Sequence, residues 1–322
     1  MSRIVGLVWA FMASQAVLSA GLHAEDYPTH QITVVVPFAA GSGSDTIARI
    51  LGQHLSQKFG QPVVVENRPG ATGAVAAAVV AHLAPDGYTL LLGTNSTHGS
   101  NSALYKSIAY DPIKDFAPVA HTGDFSYFLV VDPSLPIKSV GDLVEYGKAN
   151  PGKLSYAAGS STSIVMAETF SKAASTPMLQ VPYRSNPPAL NDVSAGRVSL
   201  MFVDISTAVG LVNGGNLRAL AVTSLQRSSL RPELPTIDET AVKGFDLSSY
   251  TGLFAPAGTP RPILDKLNAE VNAILAKPEI VKQLGSIGVE PHPKSVDEFA
   301  AFTAAEVTKW TRLVKQAGIE AQ

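Results

Sequence analysis

"VVVPFAAGSGSDTIARIL", residues Val34 to Leu51, runs from β-branched residues through a small-residue loop into an apolar-striped helical pattern. With Gln31 to Thr33 before it, "QITVVVPF" is a short apolar run of the kind buried in a parallel sheet. Downstream, Ile47, Ile50, Leu51, His54, Leu55 and Phe59 fall near one helical stripe, which Gly60 ends. The stretch is one βα unit.

Two more units follow. "PVVVEN" is a second strand, "RPGATG" turns into the Ala-rich helix "AVAAAVVAHLA", and "DGYTLLLGT" is a third strand ending in a polar loop. Three such units predict a doubly wound parallel sheet with right-handed crossovers. A second alternating block runs from "FLVVDP" to "LRALAVT", and the C-terminal part is mainly helical, with Trp310 packing on the last helix. The expected architecture is α/β, with two lobes: residues 25–124 plus 252–322 form one, residues 125–251 the other. The chain crosses between them near "GDFSYFLVV" and "DLSSYTGLF".

The 322-residue chain, 46% hydrophobic and 16% charged, is long enough to bury two cores. Its 24 basic and 26 acidic residues form no polybasic run, which argues against nucleic acid as a partner. Residues 1–24 have the layout of a signal peptide: Ser2 and Arg3, an apolar stretch from Ile4 to Ala20, and "GLHA" ending at Ala24. Ser14 and Gln15 interrupt an apolar run already shorter than the ~20 residues a spanning helix needs. Cleavage after Ala24 and a periplasmic location are expected. The chain has no cysteine, so neither a thiol-linked lipid nor a disulfide is available.

The loop "AAGSGS" enters a helix whose first amides lack intrahelical partners, and Gly41 and Gly43 allow close approach to that backbone. Ser42 and Ser44 either cap the helix or donate to a bound anion, whose charge the helix dipole favours. An empty strand-to-helix turn explains the loop equally well. The glycine spacing and the lysine of phosphate-binding loops are absent. "GTNSTHGSN" and "AAGSSTS" have similar character, each a capping motif or a polar ligand loop. In an open α/β architecture all three lie at carboxyl ends of strands and converge on an interlobe crevice.

"YPTHQITVVVPFAAGSGSDTIAR", "VVVENRPGATGAVAAAVVAHLAPDGYTLLLGT", "VPYRSNPPALNDVSAGRVSLMF", "LRALAVTSLQR" and "GLFAPAGTPRPILDKLN" resemble the extracytoplasmic solute receptors of tripartite tricarboxylate transporters, the Bug receptors. The resemblance implies a type II periplasmic binding protein whose lobes close over a small carboxylate held by backbone amides, hydroxyls and bridging water. It also implies delivery to membrane permease subunits, a monomer, and no metal or cofactor. Carried over by position, the ligand loops are Phe38, Ala39, Ala40, Gly41, Ser42, Gly43, Ser44 and Asp45; Thr94, Asn95, Ser96 and His98; and Gly159, Ser160, Ser161 and Thr162. Tyr183, Arg184 and Asp204 are further candidates. The chain departs from the usual family pattern at Ser42, Val165, Arg184-Ser185 and Tyr250.

Other accounts stand beside these assignments. Arg184 either clamps a second carboxylate or makes a surface or interlobe ion pair; His98 either bonds ligand or is satisfied by backbone; Asp204 caps the following helix or touches ligand. Asp45 either stabilises the first helical turn or accepts from a ligand donor. Serine hydrolysis by Ser96 or Ser161 with His98 lacks every familiar motif. A receptor that presents its ligand to a membrane sensor shares the same sequence features.

Overall fold

The computed structural model describes residues 27–321. The segment 1–24, expected to be a signal peptide, lies outside the described residues.

All five residues of β1 (Ile32–Val36) are β-branched, a composition suited to a pleated, packed surface. Ile32, Val34 and Val36 enter one apolar cluster, while Val35 enters another with Ala76, Ala77 and Leu91, so both faces of the strand are covered. Helix α1 (Gly43–Phe59) starts at Ser42, whose Oγ accepts from the Asp45 amide, and stops at Gly60 in the left-handed conformation, φ 66°. β2 (Val63–Asn67), α2 (Ala74–Ala81) and β3 (Thr89–Thr94) complete the predicted units, with β2 and β3 both parallel to β1. A short helix, α3 (Asn101–Leu104), precedes β4 (Phe116–Phe125).

One residue, Ser126, separates β4 from β5 (Tyr127–Val131), which belongs to a second sheet. There follow α4 (Val140–Ala149), β6 (Ser155–Ala158), α5 (Ser161–Ala173), β7 (Leu179–Pro182), α6 (Asn186–Ser194), β8 (Leu200–Asp204), α7 (Ile205–Asn213), β9 (Arg218–Val222) and α8 (Ile237–Thr240). The chain returns through β10 (Ser249–Pro256) and ends with α9 (Arg261–Leu275), α10 (Pro278–Gly285), β11 (Val289–Glu290) and α11 (Val296–Ala317), where Trp310 is fully buried. The strand orders are β11-β4-β10-β3-β1-β2 and β7-β6-β8-β5-β9.

Both sheets are mixed, which corrects the expectation of a parallel sheet. β10 runs antiparallel to both β3 and β4, and β5 antiparallel to β8 and β9. The reason is topological. β4 leaves the first lobe at the point where β10 re-enters it, so the two crossing strands run in opposite directions side by side. β10 pairs directly with β3, and β4 lies next to β10, which brings the return crossing next to the polar loop that follows Thr94. Among the described residues no helix is long and apolar enough to cross a membrane.

Candidate functional site

Loops at the carboxyl ends of β1 and β3 meet those of β6, β7 and β8 across the gap between the lobes, and a cavity lies between them. Phe38, Ser42, Gly43, Ser44, Thr94 and Ser96 line it from the first lobe, and Ser160, Asn186 and Asp204 from the second; Phe125, Tyr127 and Ser249 come from the crossing strands. The space open to the centre of a water-sized sphere is about 20 Å³, the size of one ordered water. The lobes touch around this space and leave little room between them.

In the first loop, two amides donate to hydroxyls of the opposite lobe: Ala39 N to Ser185 Oγ and Gly43 N to Thr207 Oγ1, each at 3.0 Å. Asp45 N donates to Ser42 Oγ, whereas Ser44 N, the remaining first-turn amide of α1, has no partner among the described residues. Ala40 and Gly41 are exposed. Asp45, absent from the cavity wall, ties the loop down from behind: it accepts from Gly41 N at 2.9 Å, Arg49 Nε at 3.0 Å and Asn67 Nδ2 at 3.0 Å. Burial pushes its carboxyl pKa up, but the Arg49, Gly41 and Asn67 hydrogen bonds outweigh this and hold it below the ordinary value.

In the second loop, Asn95 Nδ2 donates across the cleft to Thr162 Oγ1 at 2.6 Å, and Ser96 Oγ lies 3.2 Å from the same oxygen. Ser249 Oγ donates to Asn95 Oδ1, which fixes the orientation of the Asn95 amide. Thr94 Oγ1 accepts from Ser96 N at 3.1 Å, closing the turn. His98 lies beneath this turn, off the cavity wall, stacked on Phe254 with ring centroids 3.7 Å apart. Burial drives its pKa down to about 3.

In the second lobe, Ser160 caps α5 by accepting from Ser163 N at 3.2 Å, and Ser161 Oγ meets Ser100 Oγ of the first lobe at 2.7 Å. Gly159 is needed for close packing, because a Cβ there would lie 2.5 Å from the Ser185 backbone carbon and from Asn186 Oδ1. Asp204 caps α7 and accepts from Thr207 N at 2.9 Å, Thr207 Oγ1 and Ser206 Oγ at 2.6 Å, and Asn186 Nδ2 at 2.8 Å. It caps the helix, as one reading of it expected, and its side chain also lines the cavity. Tyr183 and Arg184 sit apart, in an outer interlobe groove with Thr72 and Tyr105. There the Tyr183 hydroxyl donates to Asp192 Oδ2 at 2.6 Å.

Sequence reading missed Tyr127, Asn186, Ser249 and the hydroxyls of Ser185 and Thr207. Tyr127 and Ser249 carry no motif; each is one residue of a crossing strand. The Tyr127 hydroxyl is buried, and burial with the nearby Asp204 charge raises its pKa, so it remains a neutral donor. Ser185 and Asn186 were legible only as a helix start ahead of Pro187 and Pro188. Among the described residues no group of three or more His, Asp or Glu is placed to hold a metal ion.

Residues 47–319 match the family model described as "Tripartite tricarboxylate transporter family receptor". Protein BugT of Bordetella pertussis (strain Tohama I) is 33% identical over 321 residues, which cover 99% of this chain and 98% of BugT. The structure of Rpa4515 from R. palustris with adipate superposes with a TM-score of 0.90 at 36% identity, covering 92% of this chain and 100% of that one. MatC (Rpa3494) from Rhodopseudomonas palustris with bound malate gives a TM-score of 0.85 at 34% identity, covering 89% of this chain and 100% of that one. With a family match over most of its length and near-complete relatives in sequence and fold, the chain is a solute-binding receptor of the tripartite tricarboxylate transporter (Bug) family.

Proposed function

We propose that this receptor captures a small organic carboxylate by closing its lobes in the periplasm and delivers it to the membrane permease subunits of a tripartite tricarboxylate-type transporter. The observation that carries the reading is that two helix N-termini from different lobes bear on one polar cavity. Ser44 in the first turn of α1 and Ser160 at the start of α5 both line it. The unpaired Ser44 amide at the start of α1 and the positive dipole end of each helix together favour an anion. Hydroxyls of Thr94, Ser96 and Tyr127 add donors, and among the described residues no lysine or arginine lines the space. The ligand charge is therefore met by dipoles and hydroxyls.

The adipate of Rpa4515 and the malate of MatC support carboxylates as the class. The ligand site in this reading comprises the cavity-lining residues of the three loops, with Tyr127, Asn186, Asp204 and Ser249. The jaws are the segments on either side of the crossings at Ser126 and Ser249, and one chain holds the whole site. A serine hydrolase finds no support in the contacts. Ser96 Oγ pairs with Thr162 and His98 Nδ1 with Thr97 Oγ1, so no imidazole activates the serine.

The test is a thermal-shift and calorimetric screen of mono-, di- and aromatic carboxylates on purified chain. A true ligand at 100 times its dissociation constant adds about 2.7 kcal/mol of stability, and X-ray scattering then shows compaction. A panel in which no carboxylate shifts melting or binds would refute the proposal.

A further inference from the structure

Asn186 is 6% exposed, lines the cavity, and carries a carbonyl oxygen with no partner among the described residues. Its amide orientation is not ambiguous. Nδ2 donates to Asp204 Oδ2 at 2.8 Å, and turning the amide over would set its oxygen against a carboxylate oxygen, which accepts only. Oδ1 is therefore an acceptor in want of a donor. Such buried orphans are rare in native proteins, and each one calls for an occupant or a function.

Asp204 adds to the same demand. Its Oδ1 already accepts from Ser206 Oγ, Thr207 N and Thr207 Oγ1, whereas Oδ2 accepts from Asn186 alone and has capacity left. This carboxylate stands in the wall of a space that otherwise favours anions, so a bare acid entering it meets like charge. A hydroxyl or an ammonium on the ligand removes both difficulties at once, by donating to Asn186 Oδ1 or Asp204 Oδ2. Gly159 preserves the arrangement, since a Cβ there would lie 2.5 Å from Asn186 Oδ1.

Resting on the carboxylate reading above, we infer that Asn186 and Asp204 form a donor-reading wall that selects acids carrying a hydroxyl or ammonium near the carboxylate over acids lacking one. Discrimination of this kind comes from leaving a buried acceptor unpaired when the wrong ligand binds.

Malate, aspartate and succinate provide the test, being four-carbon diacids that differ only in a hydroxyl, an ammonium or a hydrogen at one carbon. Dissociation constants are measured by calorimetry on the full chain, with each enantiomer of malate and aspartate. At least one donor-bearing acid is expected to bind about 3- to 10-fold more tightly than succinate, the range for one net hydrogen bond. Which acid does so separates hydroxyl from ammonium as the donor. In Asn186→Ala the affinity for that acid falls more than that for succinate, so the ratio moves toward one. A merely structural role for Asn186 lowers all affinities together and leaves the ratio unchanged, which overturns the inference. Succinate binding as tightly as the others to the unaltered chain also overturns it, whether or not the variant folds. Failure of all three acids to bind, when other carboxylates do, overturns it as well; failure of every carboxylate removes the receptor reading on which it rests.

Discussion

The backbone amide of Gly43 in one lobe donates to the Thr207 hydroxyl in the other at 3.0 Å, and that hydroxyl donates onward to Asp204 Oδ1 at 2.6 Å. The contact depends on an absent side chain. A Cβ on Gly43 would lie 2.2 Å from Ser206 Oγ and 2.6 Å from Asp204 Oδ1, closer than packed atoms approach. Because these obstacles belong to the opposite lobe, the Gly43→Ala variant is expected to fold normally and fail to close. Overpacking of about 1–3 kcal/mol in the closed form alone corresponds to an affinity loss of roughly 5- to 150-fold. Calorimetry and scattering on the variant check this, and wild-type affinity with full compaction would sink the closure account.

Thr162 offers a complementary test from the other jaw. Its Oγ1 accepts from Asn95 Nδ2 at 2.6 Å and lies 3.2 Å from Ser96 Oγ, both across the cleft. Thr162→Val keeps the shape and leaves the Asn95 amide without that acceptor, a cost of about 1–3 kcal/mol for a buried donor. The cost falls on the closed form. Carboxylate affinity should drop accordingly, while the melting temperature measured without carboxylate changes little. A fall in melting temperature with unchanged affinity would make the bond a general structural one.

Asp45 anchors the first loop from behind. Its carboxylate accepts from Gly41, Arg49 and Asn67, joining the loop to α1 and the end of β2. Asp45→Asn should cost about 1–3 kcal/mol of stability and shift affinities for all acids together. Its depressed pKa fixes the sign of the pH effect. The stabilisation is complete above the unfolded value near 3.8 and is lost as pH falls through the lower folded value, so the variant shows a shallower acid limb below about pH 4. A selective loss for donor-bearing acids would instead put Asp45 in contact with ligand.

Much of this arrangement was legible from local pattern. The β1–α1 unit could be read because period-2 and period-3.6 hydrophobicity meet at a small-residue loop, and the loops after β1, β3 and β6 announce themselves as helix starts. What could not be read depends on tertiary contact. β4 contains Pro118 and buried polar His121 and Thr122, which break the apolar run; it is a strand because β10 pairs along its length. Asn186 looks like any residue before a Pro-Pro helix start until Asp204, 18 positions later, fixes its amide. His98 reads as a polar loop residue because no local signal reveals that Phe116 and Phe254 close over it.

The buried His98 gives the last prediction. Thr97 Oγ1 donates to Thr94 O, so the His98 Nδ1 that lies 3.0 Å from that hydroxyl must itself be the donor. Nε2 is then a lone pair, and it has no partner among the described residues. Protonation would put a charged N–H in an apolar layer with nothing to accept it, which is why burial holds the pKa down to about 3. In the unfolded chain the same ring titrates near 6.5, so between about pH 6.5 and 3 the unfolded state binds a proton that the folded state refuses. Stability from this residue is complete above the unfolded value and falls as the pH drops below it, by about 1.4 kcal/mol per unit. From pH 7.5 to 5.0 the loss amounts to about 2 kcal/mol. His98→Leu lowers absolute stability but removes this titration, so its denaturation midpoint should be less pH-sensitive than that of the unaltered chain by that amount. The check is urea unfolding of both proteins at the two pH values. Parallel losses in the two would show that the ring is already charged, or reachable by water, in the folded state.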